Sequence, residues 1–84
     1  MSLTFEQAAA LVQEKASVVA TLPDDKKLEF YSLFKQGSIG DVNTDRPGML
    51  DFKGKAKWDA WNAKKGVSQE EAQQQYIELV EALV

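Results

Sequence analysis

Ile39-Gly40-Asp41-Val42-Asn43-Thr44-Asp45-Arg46-Pro47-Gly48-Met49-Leu50 is the stretch on which the fold turns. Gly40, Pro47 and Gly48 interrupt regular structure, Asp41, Asn43 and Asp45 favour turns, and no helical or strand period runs through it. It reads as a loop of about 13 residues, long for a small domain. At roughly 3.3 Å per extended residue such a loop reaches about 40 Å. The helix expected before it is only about 20 Å long. The chain can therefore travel back along that helix and begin the next one parallel to it.

Working outward, the segment before the loop reads as a helix from Asp24 to Gln36, with Pro23 and two aspartates at its start and Gly37 placed to end it in a left-handed conformation. Ahead of it, Phe5, Ala8, Ala9, Val12, Ala16 and Val19 recur at three- and four-residue spacing behind a Thr4/Gln7 capping pattern, predicting one helix from Thr4 to Ala20. After the loop, Asp51 to Lys65 begins with an acid and ends in Lys64-Lys65-Gly66, which suits the helix dipole and a glycine stop. Ser68-Gln69-Glu70-Glu71 then opens a fourth helix, with Ala72, Tyr76, Leu79, Val80 and Leu83 on one face. The other two connections are short and favour antiparallel neighbours. With no strand signal, repeat or low-complexity tract, the expected class is all-α, a four-helix bundle with a long loop between helices two and three.

Eighty-four residues suit one domain, 1–84. There is no cysteine and no histidine, so thiolate nucleophiles, disulfides, the usual zinc ligand and the common neutral-pH proton shuttle are all missing. The paired carboxylates Asp24-Asp25 and Glu70-Glu71 sit at helix starts, where capping explains them. No Gly-rich phosphate loop, Gly-x-Ser-x-Gly elbow or calcium-loop spacing occurs. The expectation is a protein that is not an enzyme and carries no metal or cofactor. No apolar stretch approaches the length of a membrane span and the start lacks a leader pattern, which predicts a soluble, cytoplasmic protein without stable membrane insertion, compatible with transient contact with a membrane or an enzyme.

The net charge of −3 conceals a separation. From Phe52 to Gly66 five lysines (Lys53, Lys55, Lys57, Lys64, Lys65) face one acid, Asp59, while Val67 to Val84 holds four glutamates and no base. Attraction between neighbouring helices explains this, and so does a local field for an anionic ligand. A nucleic-acid footprint could use the same lysines, but a pI near 4.8 and the acidic fourth helix argue against that partner.

On helix two, Leu28, Tyr31, Phe34 and Lys35 share one sector, an aromatic face that ends in a cation. Core packing accounts for Leu28 and Phe34 as readily as ligand contact does. Lys53 and Lys57 are four apart and can converge on one anion. Trp58 and Trp61, on a neighbouring face with Phe52, read as structural. Tyr76 lies on the apolar stripe of helix four, suited to either role.

Tyr31-Ser32-Leu33-Phe34-Lys35-Gln36, then Gly40-Asp41-Val42-Asn43, then Arg46-Pro47-Gly48-Met49-Leu50-Asp51-Phe52-Lys53-Gly54-Lys55-Ala56-Lys57-Trp58-Asp59-Ala60-Trp61-Asn62 closely resemble the acyl-CoA-binding protein family. Lys65-Gly66-Val67-Ser68-Gln69-Glu70-Glu71-Ala72 and Tyr76-Ile77 extend the resemblance from about Phe5 to the C-terminus. It implies an up-down-down-up bundle, a monomer, and an intracellular carrier and pool former for long-chain fatty acyl-CoA. In that family tyrosines and lysines hold the 3'-phosphate and adenine, and the acyl chain folds into a groove beneath. Tyr31, Phe34, Lys35, Lys57 and Tyr76 match the ligand-contacting positions, with Lys53 one turn from Lys57. Leu28, Ser32 and Leu33, beside or within the first motif, complete the candidate set. Two departures stand out. Phe34 replaces the tyrosine of most relatives, and Gln13 to Leu22 looks about three residues longer than in short relatives, leaving Lys15 as the one basic candidate on helix one.

Overall fold

Thr4 begins the first helix with a reciprocal cap: its hydroxyl accepts from the Gln7 N–H at 3.1 Å while the Gln7 side chain accepts from the Thr4 N–H at 3.0 Å. In the computed structural model, which describes residues 3–83, the chain continues as five helices: α1 (Phe5–Glu14), α2 (Ala16–Val19), α3 (Asp24–Ser38), α4 (Phe52–Asn62) and α5 (Gln69–Leu83). No strand occurs among the described residues.

The single first helix expected from the sequence is therefore broken. Lys15 leaves helical geometry with φ −98° and ψ 25°, and α2 restarts on its carbonyl. Ser17-Val18-Val19 supports a helix poorly, so little holds the chain to a straight course. Helix three also ends earlier than expected: α4 stops at Asn62, and residues 63–66 form turns closed by Gly66 at φ +93°. Helix two runs further. Gly37 is buried inside α3 rather than ending it, and the left-handed residue is Gly40, at φ +101°. The glycine at position 37 serves close approach: a Cβ there would stand 2.9 Å from Gln73 Cγ and 3.2 Å from Phe5 Cζ.

The register of contacts fixes the directions. Lys53 shares a cavity with Asp24 and Leu28, Lys57 lies over Tyr31, and Lys35 lies over Trp61, so α3 and α4 advance together and are parallel. Gln73 donates to the Gly37 carbonyl at 2.9 Å, while Leu79 and Leu83 reach Phe30 and Leu22, so α5 runs against α3. Phe5 packs on Phe34 and Val19 lies near Lys27, which makes the first limb antiparallel to α3 as well. The result is an all-α, four-limbed up-down-down-up bundle, with α1 and α2 forming one limb.

The core gathers Ala8, Phe30, Leu33, Ala72, Tyr76, Ile77 and Val80 between α1, α3 and α5. Each fully buried aliphatic side chain contributes roughly 1.5–3 kcal/mol. α4 lies outside this cluster and is attached differently. Both tryptophans donate to the crossing loop, Trp58 to the Thr44 carbonyl and Trp61 to the Gly40 carbonyl, each at 2.8 Å. Arg46 clasps Asp59 with two bonds of 2.9 Å. At the head of the loop the buried Gln36 amide donates to Asp41 at 2.9 Å and to the Val67 carbonyl at 2.8 Å. Asp41 also accepts from the Gly66 N–H at 2.9 Å. That backbone bond, with the Gln36 bond second, holds the Asp41 carboxyl below the usual range.

Candidate functional site

Tyr31 is half-buried on the flank of α3, between two hollows. Its ring carries two ammonium groups, Lys35 Nζ at 5.8 Å and Lys57 Nζ at 5.3 Å from the centroid. Lys35 Nζ also lies 5.6 Å from the Trp61 ring. The first cation comes from the next turn of the same helix and the second from α4, which the crossing loop has set parallel. Among the described residues neither ammonium has a carboxylate within ion-pair distance, although three other cations do. Two unneutralised cations over one aromatic ring form a ready site for a phosphate, where charge-assisted hydrogen bonds replace mutual repulsion.

The first hollow, about 300 Å³, opens between the first limb and α3. Ala9, Val12, Val19, Phe30, Phe34 and Tyr76 give it apolar walls, and Gln13, Lys27 and Tyr31 give it a polar edge. Its aromatic wall is continuous: Phe34 stacks on Phe5 at 5.7 Å, and Tyr76 meets Phe5, Phe34 and Phe30 at 5.3, 5.8 and 6.0 Å. Tyr76 is 3% exposed. Burial pushes its hydroxyl up to about 12, so it stays protonated and can only donate or accept a hydrogen bond at neutral pH. The second hollow, about 360 Å³, lies between the parallel helices. Leu28 and Ala56 are its apolar residues, and Lys27, Lys53, Lys57 and Asp24 surround them. Lys27 borders both spaces.

The structure thus brings Leu28, Tyr31, Lys35, Lys53 and Lys57 together, and sets Phe34 and Tyr76 against the first hollow on the other side of Tyr31. Ser32 and Leu33 point elsewhere. They are 1% and 0% exposed, Leu33 in the core and Ser32 donating to the Glu29 carbonyl at 3.0 Å, and neither lines a hollow. Lys15 lines neither hollow; the polar residue of the first limb that does is Gln13. Lys27 went unnoticed in the sequence, although it precedes Tyr31 and Phe34 by four and seven positions, the spacing that selects one helix face. Ala9 and Val12 carry no chemical signal of their own; they were legible only as core.

The five lysines of the α4 region do not form a single footprint. Lys53 and Lys57 border the second hollow, Lys55 lies over Phe52, and Lys64 is spent on Glu29 at 2.9 Å. No cluster of three or more acidic side chains able to hold a metal ion occurs among the described residues.

A parallel helix pair fastened by its crossing loop, with aromatic and aliphatic hollows on either side of a ring bearing two cations, defines a small helical-bundle protein built around a ligand groove. Comparison with known proteins makes the class specific. A family model described as acyl CoA binding protein matches residues 2–80. The chain is 51% identical over 85 residues to acyl-CoA-binding protein homolog 1 of Caenorhabditis elegans, covering all of this chain and 94% of that one. It is 53% identical over 82 residues to the acyl-CoA-binding protein homolog of Drosophila melanogaster, covering 98% and 95%. The crystal structure of Oryza sativa acyl-CoA-binding protein 2 superposes with a TM-score of 0.81 at 44% identity, over 94% of this chain and 84% of that one. The chain belongs to the acyl-CoA-binding protein family.

Proposed function

We propose that this protein, as a single domain over 1–84, binds long-chain fatty acyl-CoA esters and serves as a cytoplasmic, monomeric carrier and pool former without catalysis. One observation carries the reading: Lys35 and Lys57, without carboxylate partners among the described residues, converge on Tyr31 between an aromatic hollow and an aliphatic one. The ribose phosphate of CoA would meet the two ammonium groups. Adenine suits the aromatic hollow beside Tyr31 and Phe34, where a planar base stacks without needing the hydroxyl that Phe34 lacks. The acyl chain suits the second hollow, over Leu28 and Ala56 and along the methylene stem of Lys53.

The two ends would divide the work. Each buried methylene contributes about 0.8 kcal/mol, so ten would contribute about 8 before ordering costs are subtracted. The chain therefore dominates affinity, and the nucleotide distinguishes a CoA ester from a free fatty acid. In this reading the protein holds and releases its ligand, and no bond is made or broken. No helix among the described residues is long and apolar enough to cross a membrane. Calorimetry with palmitoyl-CoA, free CoA and palmitate at one salt concentration tests the proposal. Palmitoyl-CoA should bind more tightly than either free CoA or palmitate, and absence of saturable palmitoyl-CoA binding would overturn it.

A further inference from the structure

Among the described residues Lys27 is the one that lines both hollows. It stands on α3 four positions before Tyr31, as Lys35 stands four positions after it, so the two lysines flank the ring at about 6 Å of helical rise on either side. Lys35 lies over the Tyr31 ring and shares it with Lys57. Lys27 has a different setting, on the ridge between the first hollow and the second.

That ridge is cationic. No acidic side chain lines the first hollow, and on the second Asp24 alone faces Lys27, Lys53 and Lys57. The Lys27–Asp24 contact is 4.0 Å long and the Asp24 side chain is 97% exposed, so solvent screens the pair and it holds the ammonium group loosely. The other acids nearby are engaged elsewhere. On α3 the Asp25 carboxylate accepts from the Lys26 N–H at 3.0 Å, and Glu29 accepts from Lys64 at 2.9 Å. Before α4, Asp51 accepts from the Gly54 N–H at 2.9 Å. Lys27 therefore keeps its charge available to a ligand that passes from one hollow to the other.

We propose that Lys27 binds the diphosphate of the CoA ligand, so that the protein reads the phosphate groups of the nucleotide with separate cations. This inference rests on the acyl-CoA reading. With adenine in the first hollow and the acyl chain in the second, the ligand has to cross between them. The group that joins adenosine to the acyl-bearing arm is the diphosphate, an anion, and the residue common to the two hollows is a lysine. The 3'-phosphate and the diphosphate leave different carbons of one ribose. Lys35 and Lys27 stand one turn to either side of Tyr31 and can take one each, with Lys57 joining Lys35. A nucleotide that lacks the 3'-phosphate should thus keep its hold on Lys27.

The test is calorimetry with palmitoyl-CoA, its 3'-dephospho derivative and free CoA. Lys27→Met keeps the apolar stem and removes the charge. Its affinity should fall about tenfold for all three ligands, the lower end for a charge-assisted bond to phosphate, and Lys27→Arg should retain most of the parent's affinity. The loss caused by Lys57→Ala should instead disappear when the 3'-phosphate is absent. Ligand-free Lys27→Met should keep the parent's circular dichroism and urea midpoint, since its one ion pair is screened. Unchanged affinity in Lys27→Met overturns the proposal. A loss that vanishes with the 3'-dephospho ligand assigns Lys27 to the 3'-phosphate and overturns it, and a loss with palmitoyl-CoA but not with CoA assigns it to the acyl arm and does the same. Absence of binding by the parent removes the acyl-CoA reading and this inference together, whereas binding by the parent with Lys27→Met unaffected removes this inference alone.

Discussion

Replacing Lys57 with alanine removes one of the two ammonium groups over Tyr31, the one whose Nζ lies 5.3 Å from the ring. A charge-assisted hydrogen bond to phosphate contributes about 1.5–3 kcal/mol, so palmitoyl-CoA affinity should fall about 10- to 150-fold. The folded protein should scarcely register the change. Lys57 is exposed and has no ion-pair partner among the described residues, and its contact with Tyr31 accounts for about 0.5 kcal/mol. For a chain this size that is a thermal shift under about 4 °C. Calorimetry separates the two effects, with calorimetric unfolding of the ligand-free variant alongside. Because the lysine is assigned to the nucleotide, the fold-loss should be equal for free CoA and palmitoyl-CoA. Unchanged affinity would remove Lys57 from the site. A loss seen with palmitoyl-CoA but not with CoA would place its stem along the acyl chain and refute the phosphate role.

Gln36→Ala should destabilise the fold by about 2–4 kcal/mol in urea unfolding, because it empties a fully buried position and leaves the Val67 carbonyl without its donor; a change under about 0.5 kcal/mol would contradict the role given to this residue. In a Tyr31→Phe variant, phenolate absorbance should rise only as pH approaches about 12, where burial places Tyr76. The fold holds that proton more tightly than the open chain, so Tyr76 makes stability fall as pH rises from the ordinary 10.0 towards 12; an ordinary titration midpoint would refute the burial argument. Asp41 and Asp59 have lowered values in the fold, so their contribution is complete above the ordinary 3.8 and is lost as pH falls below it. Asp41→Asn should flatten the acid limb of the urea-midpoint profile and lower the plateau above it, whereas an unchanged profile would mean that the Gly66 and Gln36 bonds do not stabilise the loop.

The topology was legible because it depended on lengths: a loop long enough to retrace α3 forces nothing, but it permits the parallel pair, and the short connections leave few other arrangements. Helix ends were less legible. Gly37 read as a stop because glycine frees the backbone, yet here it removes a Cβ from the path of Phe5 and Gln73, a demand set by a partner 36 residues away. The break at Lys15 was likewise invisible to apolar periodicity, which runs across it undisturbed. Within the site, Tyr31, Lys35, Lys53 and Lys57 could be picked out by residue type and spacing. Ser32 and Leu33 share their motif but face inward, since adjacent helix residues point about 100° apart. Gln13 and Ala9 are brought to the first hollow by the packing of the first limb on α3, which no local pattern encodes.

The fastening of the crossing loop also bears on how the chain folds. Helices α3 and α4, being parallel, cannot zip from a tight turn between them. The bonds that join α3 to the chain beyond the crossing loop span 31 to 36 positions, among them Gln36–Val67, Glu29–Lys64 and Gly37–Gln73. Closing segments of that length must come before the contacts that reward it, so folding should be slow for an all-helical chain of this size. Both tryptophans hydrogen-bond to the crossing loop, so their fluorescence should report the arrival of α4 as a late step, after helical circular dichroism has largely appeared.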